Sequence, residues 1–179
     1  YYSLLGEESL YRYFRDIAES VAVPLMIYNF PGVTGQDLSP ELILRLARDC
    51  PSIIGLKDTV DNLSHIRRVI QTVRPVRPDF LIFAGFEEYM LGTLAMGGNG
   101  CVPASGNFAP QLTVSIYEAF MKGDYEAVFA GQKKLINILP LYALESPFFS
   151  IIKQAMKMTG FGVPTTFLPP TPVVPSSSL

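Results

Sequence analysis

SIIGLKDTV, residues 52–60, is the stretch on which the reading of this chain turns. Ile53, Ile54, Gly55 and Leu56 are apolar at successive positions, so a strand here is buried on both faces, as in a parallel sheet covered by helices. The run then ends on Lys57. A lysine in that place either sends its head to water along its own aliphatic stem or is kept half-dry for chemistry. Spacing alone leaves both open.

Working outward, VPLMIYN (23–29) is another apolar run, opened by Pro24 and broken by PGVTG (31–35), a tight loop. Between the two runs lies LSPELILRLARDC (38–50). Ser39 suits a helix N-cap, Pro40 the first helical position and Glu41 the positive end of the dipole. Downstream, Asp61 or Asn62 opens a helix through HIRRVIQTV. FLIFAG (80–85) is a third strand, EEYMLGTLAMG (87–97) a helix, and NGCVPAS (99–105) a shorter fourth strand. Ahead of all of them, ESLYRYFRDIAESV carries Leu10, Phe14, Ile17 and Val21 at helical spacing. After the fourth strand come three helices, PQLTVSIYEAFMKG, DYEAVFAGQKKLINIL and SPFFSIIKQAMKMTG, and an irregular Pro-rich tail from Val163.

Strands alternating with helices every ~20–30 residues are βα units. Two architectures fit, an open doubly wound sheet or part of a (β/α)8 barrel. Both gather function at the carboxyl ends of the strands, so the residues closing each strand are the candidates. These are Tyr28 and Asn29, Lys57 and Thr59, Gly85, Glu87 and Glu88, and Ser105 and Asn107. A tyrosine, a lysine, hydroxyls and carboxylates above an apolar floor suit a small-molecule site. A neutral Lys57 amine would be a nucleophile toward ketones. A Tyr28 phenol could relay protons or serve as an amphipathic core aromatic.

Composition narrows the classes. The chain has 179 residues, 49% hydrophobic and 17% charged, with a net charge of −2, a globular profile with no basic patch for nucleic acid or an anionic membrane. No apolar run approaches the ~18 residues of a membrane span. Cys50 and Cys101 stand in unrelated contexts and read as reduced thiols of a cytoplasmic protein. His65, the only histidine, lies beside Arg67 and Arg68 and reads as part of a solvated helix face. With one histidine and no carboxylate cluster, a metal site is not expected. GGNG (97–100) precedes its strand instead of joining a strand to a helix, the wrong context for a phosphate cradle.

Taken together, IYNFPGVTG, IIGLKDT some thirty residues later, FAGFEE and GGNGCVPASGN resemble the dihydrodipicolinate synthase / N-acetylneuraminate lyase family, over nearly the whole chain. The resemblance implies strands five to eight of a (β/α)8 barrel, residues 1–122, followed by a C-terminal helical region, residues 123–179. It implies Lys57 as the Schiff-base lysine and Tyr28 as the proton-shuttling tyrosine. Val102 would line the pyruvate pocket, Thr59, Gly85, Glu87 and Glu88 would hold substrate hydroxyls, and Ser105 would be a further substrate-binding residue. The implied reaction cleaves a 2-keto-3-deoxy sugar acid, such as 2-keto-3-deoxygluconate, to pyruvate and an aldehyde, with no cofactor.

YNFPGVTGQDL and ASGNFAPQ look most like the 2-keto-3-deoxygluconate and 2-keto-3-deoxypentonate aldolases. Val33 stands where the synthases carry an arginine for a substrate carboxylate, which argues against dihydrodipicolinate synthesis. The family also implies a homo-oligomer, dimer or tetramer. The sequence begins without Met and lacks the family's Gly-Thr-Thr-Gly-Glu element, so the expectation is a fragment of a longer aldolase. The alternatives are a synthase-like hydro-lyase and a non-catalytic half-barrel that associates with a partner chain.

Overall fold

Four short apolar strands organise the first part of the molecule in the computed structural model, which describes residues 3–169. The chain falls into two compact units, Tyr1–Val102 and Pro103–Leu179.

In the first unit the strands are β1 (Leu25–Asn29), β2 (Ile53–Asp58), β3 (Leu81–Ala84) and β4 (Gly100–Cys101). All pair in parallel, in the spatial order β1-β2-β3-β4. A doubly wound sheet reverses its order at a switch point; here each strand is laid beside the one before it, as along an arc of a barrel. β1 and β4 are the two edges of this sheet. The helices are α1 (Glu7–Ser20), α2 (Pro31–Thr34), α3 (Pro40–Asp49), α4 (Leu63–Val73) and α5 (Met90–Ala95).

Local chemistry explains where these elements start. Ser39 Oγ accepts the Leu42 N–H at 3.1 Å and caps α3, with Pro40 at the first helical position. Asn62, rather than Asp61, caps α4 by accepting the Ser64 N–H at 3.0 Å. The PGVTG segment differs from a simple loop. It closes one helical turn, α2, because the Val33 and Thr34 amides reach back to the Phe30 carbonyl. The helix expected from Glu87 begins as a 3₁₀ turn, Glu87–Tyr89, before α5.

The core lies between the sheet and α3 and α4. Leu42, Ile43 and Leu46 from α3 and Ile66, Val69 and Val73 from α4 are buried, together with Ile53, Leu56 and Ile82 from the strands. On the other face of the sheet Met26 and Tyr28 are exposed, since strand side chains alternate between faces.

The second unit is helical: α6 (Pro110–Lys122), α7 (Tyr125–Ile138) and α8 (Phe149–Met158), with 3₁₀ turns at Ser105–Asn107 and Leu139–Ala143. α6 and α7 form a hairpin. Gly123, at φ 73°, ends α6 in a conformation that a side chain would strain, and Asp124 caps α7 by accepting the Ala127 N–H at 3.1 Å. Ile116, Val128, Leu135 and Ile151 are buried. After α8 the chain is irregular up to the last described residue, as its prolines suggest. It is tied back where Lys153 Nζ donates to the Thr166 carbonyl at 2.9 Å and lies over the Phe167 ring. The rest of the Pro-rich tail, residues 170–179, lies outside the described residues. No helix among the described residues is long and apolar enough to cross a membrane.

Candidate active site

Parallel pairing sets Tyr28 of β1 directly beside Lys57 of β2, and Asn29 beside Asp58. Partners in register point to the same face, so the tyrosine and lysine side chains leave the sheet together at its carboxyl end. Lys57 Nζ lies 4.3 Å from the centre of the Tyr28 ring, within the range of a cation–π contact. Lys57 is half-buried, while Tyr28, 50% exposed, stacks on Phe30 at 5.7 Å. The lysine head therefore lies over the tyrosine ring.

Thr59 and Gly85 form the next pair. Thr59 follows β2, and its backbone N–H donates to the Asn29 carbonyl at 2.7 Å, while the Gly85 N–H donates to the Asp58 carbonyl at 2.7 Å. These bonds carry the sheet pairing one residue past the strands. A Cβ at position 85 would sit 1.8 Å from Thr59 Oγ1, so only glycine admits the threonine there. Thr59 is 7% exposed, and its hydroxyl has no hydrogen-bond partner among the described residues, an arrangement that protein interiors rarely leave unanswered.

Glu87 and Glu88 open the 3₁₀ turn that follows. Glu87 is buried. Burial, with a contribution from the neighbouring charges of Glu87 and Asp61, raises the Glu88 carboxyl above its usual range. Tyr89 donates to Asp61 Oδ1 at 2.5 Å, and this bond, with burial, pushes its phenol up to about 12. Val102 extends the fourth strand, its N–H donating to the Ala84 carbonyl at 2.9 Å. Cys101 is held at about 12 by burial first and then by the charge of Glu87, against the opposing charge of Lys57; at neutral pH it is a thiol, not a thiolate. Cys50 and Cys101 are free. Ser105 lies in the second unit, fully buried at the start of its 3₁₀ turn. Val33 is exposed on α2. No group of three or more His, Cys, Asp or Glu suited to a metal ion occurs among the described residues.

A cavity of about 670 Å³ adjoins Tyr28, between α1 and the carboxyl end of β1. Its walls include Leu4, Leu5, Leu10, Phe14 and Asn29; Lys57 is not among them. The cavity thus flanks the tyrosine–lysine pair on the β1 side and does not enclose it.

His65 is not part of a solvated face. It is 2% exposed, and its Nδ1 lies 2.7 Å from Asp58 Oδ2 while its Nε2 lies 3.1 Å from the Leu38 carbonyl. Asp58 in turn accepts from Asn29 Nδ2 at 2.8 Å. The neighbouring arginines concealed this placement, yet a signal existed. His65, Ile66, Val69, Ile70 and Val73, the buried residues of α4, recur at helical spacing, and the histidine opens that stripe.

The family model described as the dihydrodipicolinate synthetase family matches residues 1–178. The "Probable 2-dehydro-3-deoxy-D-pentonate aldolase YjhH" of Escherichia coli (strain K12) is 45% identical over 170 residues, 95% of this chain and 56% of that protein. An uncharacterized DapA-like lyase of Thermococcus kodakarensis is 39% identical over 95% of this chain and 58% of its own length. The crystal structure of YagE, a prophage protein of the dihydrodipicolinic acid synthase family from E. coli K12 in complex with pyruvate, superposes with a TM-score of 0.95 at 40% identity, over 99% of this chain and 60% of that one. The chain spans a little over half the length of these relatives, and its four parallel strands follow a TIM-barrel-like fold. The chain belongs to the dihydrodipicolinate synthetase family.

Proposed function

We propose that this chain carries the Schiff-base half of an aldolase that cleaves a short 2-keto-3-deoxy sugar acid to pyruvate and an aldehyde. The observation that carries the reading is the placement of Lys57 Nζ over the Tyr28 ring at two adjacent strand ends. The Lys57 amine attacks the 2-keto carbon and, with loss of water, forms an iminium. That iminium accepts the electron pair of the C3–C4 bond as it breaks, and Tyr28, having given its own proton to the departing water, takes the proton of the C4 hydroxyl. The enamine left behind is protonated and hydrolysed to pyruvate, which frees the lysine. The lysine itself serves as the electron sink, so the chemistry calls for no cofactor.

The relatives support the substrate class: one bears the name of a 2-dehydro-3-deoxy-D-pentonate aldolase and another was solved with pyruvate. Thr59, with its unanswered hydroxyl, and Glu87 and Glu88 would hold the sugar hydroxyls, while Gly85 leaves room for Thr59. Val102 would line the pyruvate end. Val33, neutral and exposed, offers nothing to a carboxylated aldehyde, which favours a polyol tail.

In this reading the strands are the fifth to eighth of a barrel, residues 1–122, with residues 123–179 as its C-terminal helical region. The complete enzyme is a cytoplasmic homo-oligomer, and the remaining barrel strands cover the edges at β1 and β4. The 179-residue chain alone should turn over 2-keto-3-deoxygluconate weakly or not at all. Supplied with the complementary half and treated with pyruvate and borohydride, it should carry a stable adduct on Lys57, seen by peptide mass spectrometry and lost in Lys57→Arg. An unmodified Lys57 under those conditions overturns the proposal.

A further inference from the structure

Behind Lys57 and Tyr28, on the opposite face of the same two strands, lies a buried polar chain that the reaction does not touch. Asn29 is 1% exposed and Asp58 fully buried. Each follows a site residue by one position, and the two are partners in register. Asn29 Nδ2 donates to Asp58 Oδ1 and to Asp37 Oδ1, both at 2.8 Å, while its Oδ1 accepts the Leu38 N–H at 3.3 Å. The other oxygen of Asp58 faces His65 Nδ1 at 2.7 Å. His65 Nε2 faces the Leu38 carbonyl at 3.1 Å, with Asp37 Oδ2 at 3.6 Å.

The chemistry of those partners sets the protonation. A carbonyl oxygen only accepts, so Nε2 must bear a hydrogen. Nδ1 faces a carboxylate and needs a proton in the bond as well. The His65–Asp58 pair therefore retains one proton beyond that of a neutral imidazole beside a carboxylate, and the ring is held as an imidazolium. The charged groups acting on it are Asp58 from β2 and Asp37 from the segment ahead of α3. Burial opposes the charge, and the bond to Asp58, the two carboxylates and the Leu38 carbonyl outweigh it, so the ring stays protonated above its ordinary range.

We infer that His65 is a positioning residue which, through Asp58 and Asn29, locks the ends of β1 and β2 in the alignment that holds Lys57 over the Tyr28 ring. Lys57 has a flexible four-carbon stem, so its head is only as well placed as the backbone beneath it. Without the second ring proton, either Asp58 or the Leu38 carbonyl is left buried without its donor, and with the ring removed both are, so the two strand ends must rearrange to hydrate the bare oxygen. A displacement of about 1 Å at a reacting group costs about 10²-fold in rate. This inference rests on the Schiff-base reading for its consequence but not for its geometry.

The test separates the two. In the 179-residue chain, the Lys57 Hε protons should be displaced upfield by the Tyr28 ring current relative to those of exposed Lys122, and Tyr28→Leu should abolish the displacement. His65→Leu should abolish it too, whereas His65→Asn, which keeps a donor toward Asp58, should retain most of it. In the wild-type chain, nitrogen-15 shifts of His65 should show both ring nitrogens protonated at pH 6, and raising the pH through its titration should shrink the Lys57 displacement. With the complementary half and pyruvate added, borohydride trapping should be about 10²-fold slower in His65→Leu than in wild type or His65→Asn. A displacement that ignores both His65→Leu and the titration of His65 overturns the positioning role. If His65→Leu does not fold, the wild-type titration decides. If wild type traps no pyruvate, the aldolase reading falls while the ring-current result still settles the positioning.

Discussion

A Cβ placed on Gly85 would lie 1.8 Å from Thr59 Oγ1 and 2.5 Å from Thr59 Cβ. The two residues close adjacent strands, and both their backbone amides continue the sheet pairing, so neither can retreat without breaking a bond. Gly85→Ala should therefore be destabilising by about 1–3 kcal/mol, read as a lower urea midpoint with unchanged slope. Thr59→Ser, which leaves the hydroxyl in the way, should relieve the double variant less than Thr59→Gly does.

Tyr28 offers Lys57 a ring face and a phenol, and these can be separated. Tyr28→Phe keeps the ring under the lysine head, so Lys57 should still form its pyruvate adduct in the completed enzyme. Aldol cleavage, which needs the proton carrier, should fall by about 10²–10⁴-fold. Equal loss of trapping and cleavage, measured side by side, would show that the phenol is decisive in forming the adduct instead.

His65 predicts a pH dependence of stability with a definite sign. Its pKa is raised in the folded state above the ordinary 6.5, so the native chain binds that proton more tightly than the unfolded one. The resulting stabilisation is fully present below about 6.5 and is lost as pH rises through the folded-state value. The difference in urea midpoint between wild type and His65→Asn should narrow from pH 6 toward alkaline pH. A difference that widens over that range would contradict the imidazolium assignment.

Ser39 joins two helices as well as capping one. Its hydroxyl accepts the Leu42 N–H at 3.1 Å and donates to Glu7 Oε1 at 2.7 Å. Ser39→Ala should lower stability by about 1 kcal/mol through the lost cap. Glu7→Gln should cost much less, because that bond is exposed. Chemical denaturation of the two single variants and the double variant resolves the shares.

Local chemistry made much of this molecule legible from its residues. Ser39, Pro40 and Asn62 mark helix starts because the orphaned amides of a first turn need acceptors nearby in sequence. The doubly apolar runs around Ile27, Leu56 and Ile82 require a parallel sheet with helices over it. Lys57 and Tyr28 could be picked out because function in such sheets gathers at strand ends, and the motifs around them name the family.

The partners of buried polar groups could not be read in that way. Asn29, Asp58 and His65 come from two strands and a helix, and no spacing rule says which carboxylate a histidine will meet. The carboxylates of Asp58 and Asp37 favour a charged His65 against its burial, while its sequence neighbours Arg67 and Arg68 suggested solvent. The fit of Thr59 against Gly85 was hidden for the same reason. The chain alone determined which elements form and which residues reach the strand ends, because those follow from short-range propensity and periodicity. Tertiary structure decided which side chains share a proton, a clash or a ring face, because those depend on distances that only packing sets.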